Sequence, residues 1–168
     1  MLSFRSRRGV LASAAVAVVL AFAVPTGNAG VAGLNVCKLL SASQLASIHV
    51  SASCTQKTMP VNREGTHVGT INLGRWGNVH QGYVLAALYV ISPQYVSVAK
   101  QKFFNGGTSA GVGDWSRWKG FANGKESARI VFGVGNKIVD LDIDPGSKHP
   151  LKSKQQVIAL AKAIAEQL

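Results

Sequence analysis

Hydrophobic and polar residues alternate most regularly on either side of the dipeptide Gly135-Asn136. Every second residue is apolar before the dipeptide and again after it (Ala128, Ile130, Phe132, Val134; Val139, Leu141, Ile143). Successive side chains of a strand point to opposite faces, and Gly-Asn suits a two-residue turn, so this pattern predicts a β-hairpin. Its register pairs Phe132 with Val139 and sets Arg129 opposite Asp142.

Two other segments predict strands, and a third predicts a connection. Residues 67–76 alternate loosely, with Ile71 and Leu73 on one face, which is typical of a half-buried strand. Residues 83–91 are a continuous apolar run, which favours a central strand buried on both faces. The polar residues 55–66 predict a connecting segment with at most a short edge strand.

Three helices are predicted from their start signals and apolar spacing. Ser41 and Gln44 form a capping-box pattern before a short helix, and Ser92-Pro93 favours the start of a second helix that runs to about Phe104. Ser153 is the expected cap of a third. The apolar residues of that third helix recur at spacings of three and four: Val157, Leu160, Ala161, Ile164 and Leu168.

Strands joined by hairpins, with helices toward both ends of the chain, favour an α+β fold. The expected architecture is an antiparallel sheet with the helices packed on one side. The chain has 168 residues, and no repeat of 20 to 50 residues is visible. The length suits a single domain.

Residues 1–29 resemble a cleavable export signal. Three arginines precede 15 uncharged residues, 10–24, and the segment ends in small residues up to Ala29. Fifteen helical residues span only about 22 Å, less than a hydrocarbon core of about 30 Å, so cleavage after Ala29 is favoured over a membrane anchor. Arg7-Arg8 is similar to a twin-arginine signal, with an ordinary secretory signal as the alternative. The prediction is a domain over 30–168, secreted or envelope-associated, without a transmembrane segment.

Removing residues 1–29 takes away three arginines and no acid, which leaves 15 Lys+Arg, 7 Asp+Glu and a net charge of +8. Such a basic surplus attracts anionic partners. Cys37 and Cys54 are the two cysteines of the chain, and export would place them in an oxidising environment. We therefore predict a disulfide, worth about 3 kcal/mol for a loop of this length. A catalytic thiol is the alternative.

Familiar catalytic and metal motifs are not found. Asp140, Asp142 and Asp144 resemble the start of a calcium loop, but Pro145 replaces its glycine and Leu151 replaces its bidentate glutamate. The three acids are therefore interpreted as the solvated face of a strand, partly paired with arginine. The histidines lack ligand spacing, and there is no nucleophile elbow or dinucleotide loop. The sequence predicts no cofactor, no metal and no catalytic residue, and an enzyme is the less favoured class.

A glycine-bounded segment from residue 113 to 121 combines aromatic and basic side chains. Aromatic faces stack on sugars or bases, and adjacent cations attract phosphates or carboxylates. We therefore predict a ligand-binding loop here, echoed by a second pair at a strand end. The alternative is that the tryptophans cover one end of the core. The candidate residues are Arg75, Trp76, Trp115, Arg117, Trp118, Lys119 and Phe121.

Several short motifs together resemble an actinobacterial family of exported proteins and lipoproteins of unknown function. They are the opening Cys37-Lys-Leu-Leu-Ser-Ala-Ser-Gln-Leu, Cys54, Gly111-Val-Gly-Asp, the Gly-Asn hairpin turn and the closing Ile158-Ala-Leu-Ala-Lys-Ala-Ile-Ala. The chain is also similar to extracellular sensor domains of mycobacterial receptor kinases. The resemblance implies a curved antiparallel sheet with helices packed on it, an early disulfide and a role at the cell envelope. It implies no catalytic residues. The lipidation cysteine of many members is missing here, and Trp115-Ser-Arg-Trp118 stands where small residues are expected.

The sequence thus favours a secreted, non-enzymatic binding domain that contacts an anionic envelope component or a partner protein, with no specific binding of nucleic acid. Two other functions remain open. One is a small-molecule or metal carrier that is exported in the folded state. The other is a hydrolase whose site matches no known motif.

Overall fold

The computed structural model describes residues 34–122 and 127–168, so the predicted export signal over 1–29 lies outside the described residues. These described residues form one compact unit. The strands are β1 Cys54–Arg63, β2 Thr66–Asn78, β3 Gly82–Ile91, β4 Trp115–Ala122, β5 Ser127–Val134 and β6 Lys137–Asp144. The helices are α1 Ala42–Ala46, α2 Val96–Phe103 and α3 Lys154–Ala165, with 3₁₀ turns at Val36–Lys38 and Pro93–Tyr95.

The six strands form one antiparallel sheet in the order β1-β2-β3-β6-β5-β4. The predicted hairpin is confirmed as β5 and β6, with Phe132 opposite Val139 and Arg129 opposite Asp142. The predicted central strand is also confirmed, since β3 lies between β2 and β6. The observed architecture is a mixed fold dominated by its antiparallel sheet.

One face of the sheet, here called the core face, carries the main hydrophobic core. Val84, Ile130, Phe132 and Leu141 lie on it, and each is fully buried. Apolar residues of α1, of α3 and of the segment before α1 pack against this face. The apolar spacing of α3 is confirmed, because Val157, Leu160, Ala161 and Ile164 are its buried residues. Burial of such side chains contributes roughly 1.5–3 kcal/mol each, so this layer supplies most of the hydrophobic stabilisation.

The opposite face, here called the α2 face, holds a second and smaller cluster. Val131 and Ile138 alternate with Phe132 and Val139 of the core face, so they point to the other side of the sheet. Val96, Ala99 and Phe103 of α2 pack against them. The expectation that the helices share one side is therefore wrong for α2, because its apolar stripe meets a different set of sheet residues.

The polar and apolar residues of β2 lie on unexpected faces. Ile71 and Leu73, which the sequence places together, are only half-buried on the α2 face. Asn72 and Trp76 point to the core face and are 3% and 1% exposed. The Asn72 amide oxygen accepts a hydrogen bond from the Thr58 hydroxyl at 2.7 Å, which compensates part of the cost of burying it. Helices cover the core face here, so a β2 side chain is buried when it points to that face, whether it is polar or apolar.

The segment before β1 is attached to the core face by a covalent bond and by close packing. Cys37 and Cys54 form the predicted disulfide. Val36 lies so close to Gly74 that a Cβ added at residue 74 would be 2.6 Å from a Val36 methyl carbon. Ser41 and Gln44 form the predicted capping box, in which the Ser41 hydroxyl accepts from the Gln44 backbone N–H. The segment before β1 is therefore held by the Cys37–Cys54 disulfide and by the packing of Val36 on Gly74.

The strand β1 replaces the predicted connecting segment. It is ten residues long, and most of them are exposed. An edge strand with this polar composition shows no hydrophobic alternation, which explains why the sequence pattern indicated at most a short edge strand here. Its register against β2 shifts between Val61 and Asn62.

The predicted start of the second helix is only partly right. Pro93 begins a 3₁₀ turn that leads into α2, but the Ser92 side chain makes no capping hydrogen bond. In the third helix the cap is as predicted, since the Ser153 hydroxyl accepts from the Gln156 N–H. Within residues 34–122 and 127–168, no helix has the length and apolar character needed to cross a membrane.

Candidate ligand-binding site

The aromatic and basic segment is an edge strand, β4, and not the predicted loop. Trp115 and Arg117 pair with Gly133 and Val131, so their side chains lie on the α2 face. Trp118 pairs with Ile130 and points to the core face. Strand alternation therefore divides the predicted site between the two faces of the sheet.

Trp115 and Arg117 meet two residues of the α2 segment and form what we call the α2–β4 cluster: Lys100, Phe104, Trp115 and Arg117. The Arg117 guanidinium lies 3.8 Å from the centroid of the Phe104 ring. The Phe104 and Trp115 rings are 5.5 Å apart. Lys100 Nζ is 5.1 Å from the Phe104 centroid and 5.5 Å from the Trp115 centroid. Two cations are thus held over two adjacent aromatic rings.

A glycine on β5 makes room for the Trp115 ring. A Cβ added to Gly133 would lie 2.2 Å from Trp115 Nε1. No side chain could occupy position 133 without displacing the indole. The position of the ring, and with it the shape of the cluster, therefore depends on Gly133.

In the part of the chain that the structure describes, neither cation of the cluster is neutralised by a carboxylate. Within the described residues, Arg117 and Lys100 form no ion pair. Arg117 Nε is buried and has no hydrogen-bond acceptor in the same part of the chain. A guanidinium can donate five hydrogen bonds, so Arg117 keeps most of its capacity for an anionic ligand.

Comparison with protein-family models, with curated proteins and with solved structures finds no match for this chain.

Lys119 has a structural contact that the sequence does not reveal. It occupies a β-bulge between Trp118 and Gly120. Its ammonium donates to the backbone carbonyls of Phe103, at 2.9 Å, and of Asn105 and Gly106. Burial, followed by the nearby Arg129, lowers the pKa of Lys119 below its usual range. Lys119 thus caps the carbonyl end of α2 and attaches that helix to β4.

The remaining predicted residues lie away from the α2–β4 cluster. Trp118 and Phe121 are partly buried against the main core, with ring centroids 5.0 Å apart. Trp76 is buried on the core face, and Arg75 is exposed on β2, which is separated from β4 by three strands. The alternative interpretation, in which both tryptophans cover one end of the core, therefore fits Trp118, whereas Trp115 packs against the smaller cluster on the α2 face.

Sequence reasoning missed Lys100 and Phe104. They are four residues apart, so their side chains share one side of α2 and its end. That spacing is visible in the sequence. Their contact with β4 is not, because it depends on α2 crossing to the face that carries Trp115.

Asp140, Asp142 and Asp144 lie on β6 as predicted, but their face is not fully solvated, because the Asp140 side chain is only 13% exposed. Arg129 Nε lies 2.8 Å from Asp140 Oδ1, and its Nη2 lies 2.5 Å from Oδ2. The ion pair is therefore formed with the diagonal neighbour and not with Asp142 directly opposite. In the described part of the chain, no group of three or more His, Cys, Asp or Glu side chains could hold a metal ion.

The shifted pKa of the Asp142 carboxyl makes the stability of the fold depend on pH. Burial, opposed by Arg129, raises the pKa of Asp142 above its usual 3.8. The folded state therefore binds this proton more tightly than the unfolded state, and stability is lost as the pH rises from below 3.8 through the raised pKa. We expect Asp142→Asn to be more stable than the wild type at pH 7, and the difference to shrink toward pH 3. Urea unfolding at both pH values tests this, with the exposed Glu166→Gln as control. A difference that is constant between pH 3 and 7 would contradict the assignment.

Proposed function

We propose that this chain is an exported, non-enzymatic binding domain that contacts an anionic component of the cell envelope through the α2–β4 cluster. The observation that carries the proposal is the Arg117 guanidinium, which stacks on Phe104 at 3.8 Å and has no carboxylate partner within the described residues. An arginine held in place by an aromatic ring loses little freedom on binding an anion, so it is prepared for a phosphate or carboxylate.

The surroundings of the cluster support an anionic ligand. Lys100 lies over both rings and is likewise unpaired in the described part of the chain. The Lys119 ammonium adds positive charge at the carbonyl end of α2. With a net charge of +8 for residues 30–168, the domain as a whole also attracts anions.

The disulfide supports the exported location that we propose. Cys37 and Cys54 are joined, and such bonds persist in oxidising compartments. The export signal predicted over residues 1–29 and the resemblance to actinobacterial exported proteins give the same location. An envelope surface rich in anionic headgroups would meet the cluster there.

Binding to anionic vesicles tests the proposal. A basic side chain near an anionic surface contributes about 1 kcal/mol, so Lys100→Gln with Arg117→Gln should weaken binding by roughly 30-fold. The measurement is cosedimentation with phosphatidylglycerol vesicles, with phosphatidylcholine vesicles as the neutral reference. Neither substitution removes a buried apolar side chain, so the fold should be preserved.

A matched control variant distinguishes binding through the α2–β4 cluster from attraction by the net charge of the domain. Lys57→Gln with Lys148→Gln removes the same charge from two exposed positions outside the cluster. We expect this control to retain most of the vesicle binding. Equal losses in the two double variants would mean that net charge, and not the α2–β4 cluster, governs the interaction.

A further inference from the structure

A second candidate site lies on the other side of α2, between that helix and the β1–β2 hairpin. It is a cavity of about 370 Å³. Val68 and Ile91 form its floor, and both are buried in the sheet. Val98 and Phe103 of α2 and Tyr89 of β3 line its walls. No residue of the α2–β4 cluster contributes to it, so this pocket is a separate site.

The backbone of the hairpin creates the pocket. The register of β1 against β2 shifts between Val61 and Asn62, and both residues line the cavity. Val68 is the extra residue opposite that shift, and its carbonyl accepts a hydrogen bond from Ser92 at 2.9 Å. A bulge redirects side chains locally, and here it lies where the apolar floor is formed. The small side chain of Ala99 on α2 leaves the space above this floor open.

The charged residues of the pocket all have one sign. Arg63 and Lys102 line it and are exposed, so they form its rim. Among the residues that the structure describes, no carboxylate lines the cavity. The nearest acid in sequence, Glu64, lies 3.8 Å from Arg63 Nε, but it is 86% exposed and the pair is weakly held in solvent. An apolar interior with a cationic rim is complementary to a molecule with an apolar chain and one anionic end.

We propose that this pocket binds a long-chain fatty acid, with its hydrocarbon chain against Val68, Ile91 and Val98 and its carboxylate between Arg63 and Lys102. The volume lies near the lower end of the range of about 300–1,000 Å³ for ligand pockets, which suits one chain better than a two-chain lipid. Each buried methylene strengthens binding by about fourfold, so even partial insertion of a chain gives appreciable affinity. This activity goes beyond the contact with an anionic envelope surface, because it uses other residues and another ligand class.

Titration of the purified protein with oleate, by displacement of a fluorescent fatty acid, tests the proposal. Oleyl alcohol has the same chain without the charge and serves as the matched ligand. We expect saturable binding of oleate. Arg63→Gln with Lys102→Gln should weaken oleate binding by about tenfold and leave oleyl alcohol unchanged, because only the carboxylate contacts the rim. Equal effects on the two ligands would overturn the placement of the carboxylate.

Ala99→Trp tests the chain-binding cavity itself. An indole at this position would fill the space that the chain needs, and the lost burial of two methylenes alone weakens binding by about tenfold. Circular dichroism would check that Ala99→Trp folds. If Ala99→Trp does not fold, Val98→Trp, at a partly exposed position on the same wall, takes its place. Oleate binding that is absent in the wild type, or unchanged in the folded Trp variant, would overturn the proposal.

Two further outcomes keep the two sites distinct. Lys100→Gln with Arg117→Gln should leave oleate binding unchanged while it weakens vesicle binding. A pocket that is filled by a second copy of the chain would instead show concentration-dependent dimers and no displacement by oleate, which would overturn the fatty-acid assignment. If the proposal for one site is overturned, the experiment on the other site therefore still decides its own proposal.

Discussion

Replacing Trp76 with alanine is expected to lower the free energy of unfolding by about 3–5 kcal/mol. Trp76 is 1% exposed, on the core face between Cys54 of β1 and Val84 of β3. Removing its ring leaves a cavity that its strand neighbours cannot close. Since small domains have a total stability of about 5–15 kcal/mol, this one change would remove a large part of it. Urea unfolding followed by circular dichroism measures the loss.

The neighbouring residue supplies the control for Trp76. Arg75 is exposed on the opposite face, so Arg75→Ala should change the stability by less than about 0.5 kcal/mol. Adjacent positions in one strand would then differ by several kcal/mol. A loss below about 1 kcal/mol in Trp76→Ala would contradict the burial of the ring and return Trp76 to the list of ligand-binding candidates.

Removal of the disulfide is expected to have the second-largest effect. The bond joins cysteines 17 positions apart. Closing a loop of this size restricts the unfolded chain by about 3 kcal/mol, so Cys37→Ala with Cys54→Ala should lower the free energy of unfolding by about that amount. Urea unfolding of the double variant under oxidising conditions measures it.

Reduction of the wild type is the control for this prediction. With reductant present, the wild type and the double variant should have similar stability, because neither then carries the crosslink. A double variant that loses less than about 1 kcal/mol would mean that the segment is held mainly by packing. Leu39, Leu40, Leu45 and Ile48 would supply that packing, since all four are buried on the core face.

The parts of the fold that could be predicted are those in which the sequence pattern agrees with the burial of the residues in the structure. The β5–β6 hairpin has both a regular alternation and a suitable turn, and α3 has both a capping serine and a buried apolar stripe. The spacing of apolar residues together with a turn or cap residue determines such elements, so they can be predicted from the sequence alone. The disulfide belongs to the same group, because the chain has only two cysteines.

The parts that could not be predicted depend on what covers each surface. Polar β1 and charged β4 are edge strands, whose outer residues need not be apolar. Trp76 and Trp115 look alike in sequence, because each lies within two residues of an arginine. One is buried under the N-terminal segment and the other lies beside α2. The α2–β4 cluster arises only because α2 crosses to the face that carries Trp115 and Arg117.

The two edges of the sheet also determine how the domain behaves among its own copies. Exposed edge strands pair readily with strands of other molecules. On β1, Pro60 has no N–H to donate, and the nearby shift in register interrupts the row of backbone groups. On β4, Thr108 already exchanges both backbone hydrogen bonds with Trp118, at 3.1 and 2.7 Å, and the bulge at Lys119 follows. Over the described residues, neither edge offers an uninterrupted row of donors and acceptors to a second sheet, so the domain resists aggregation by strand addition.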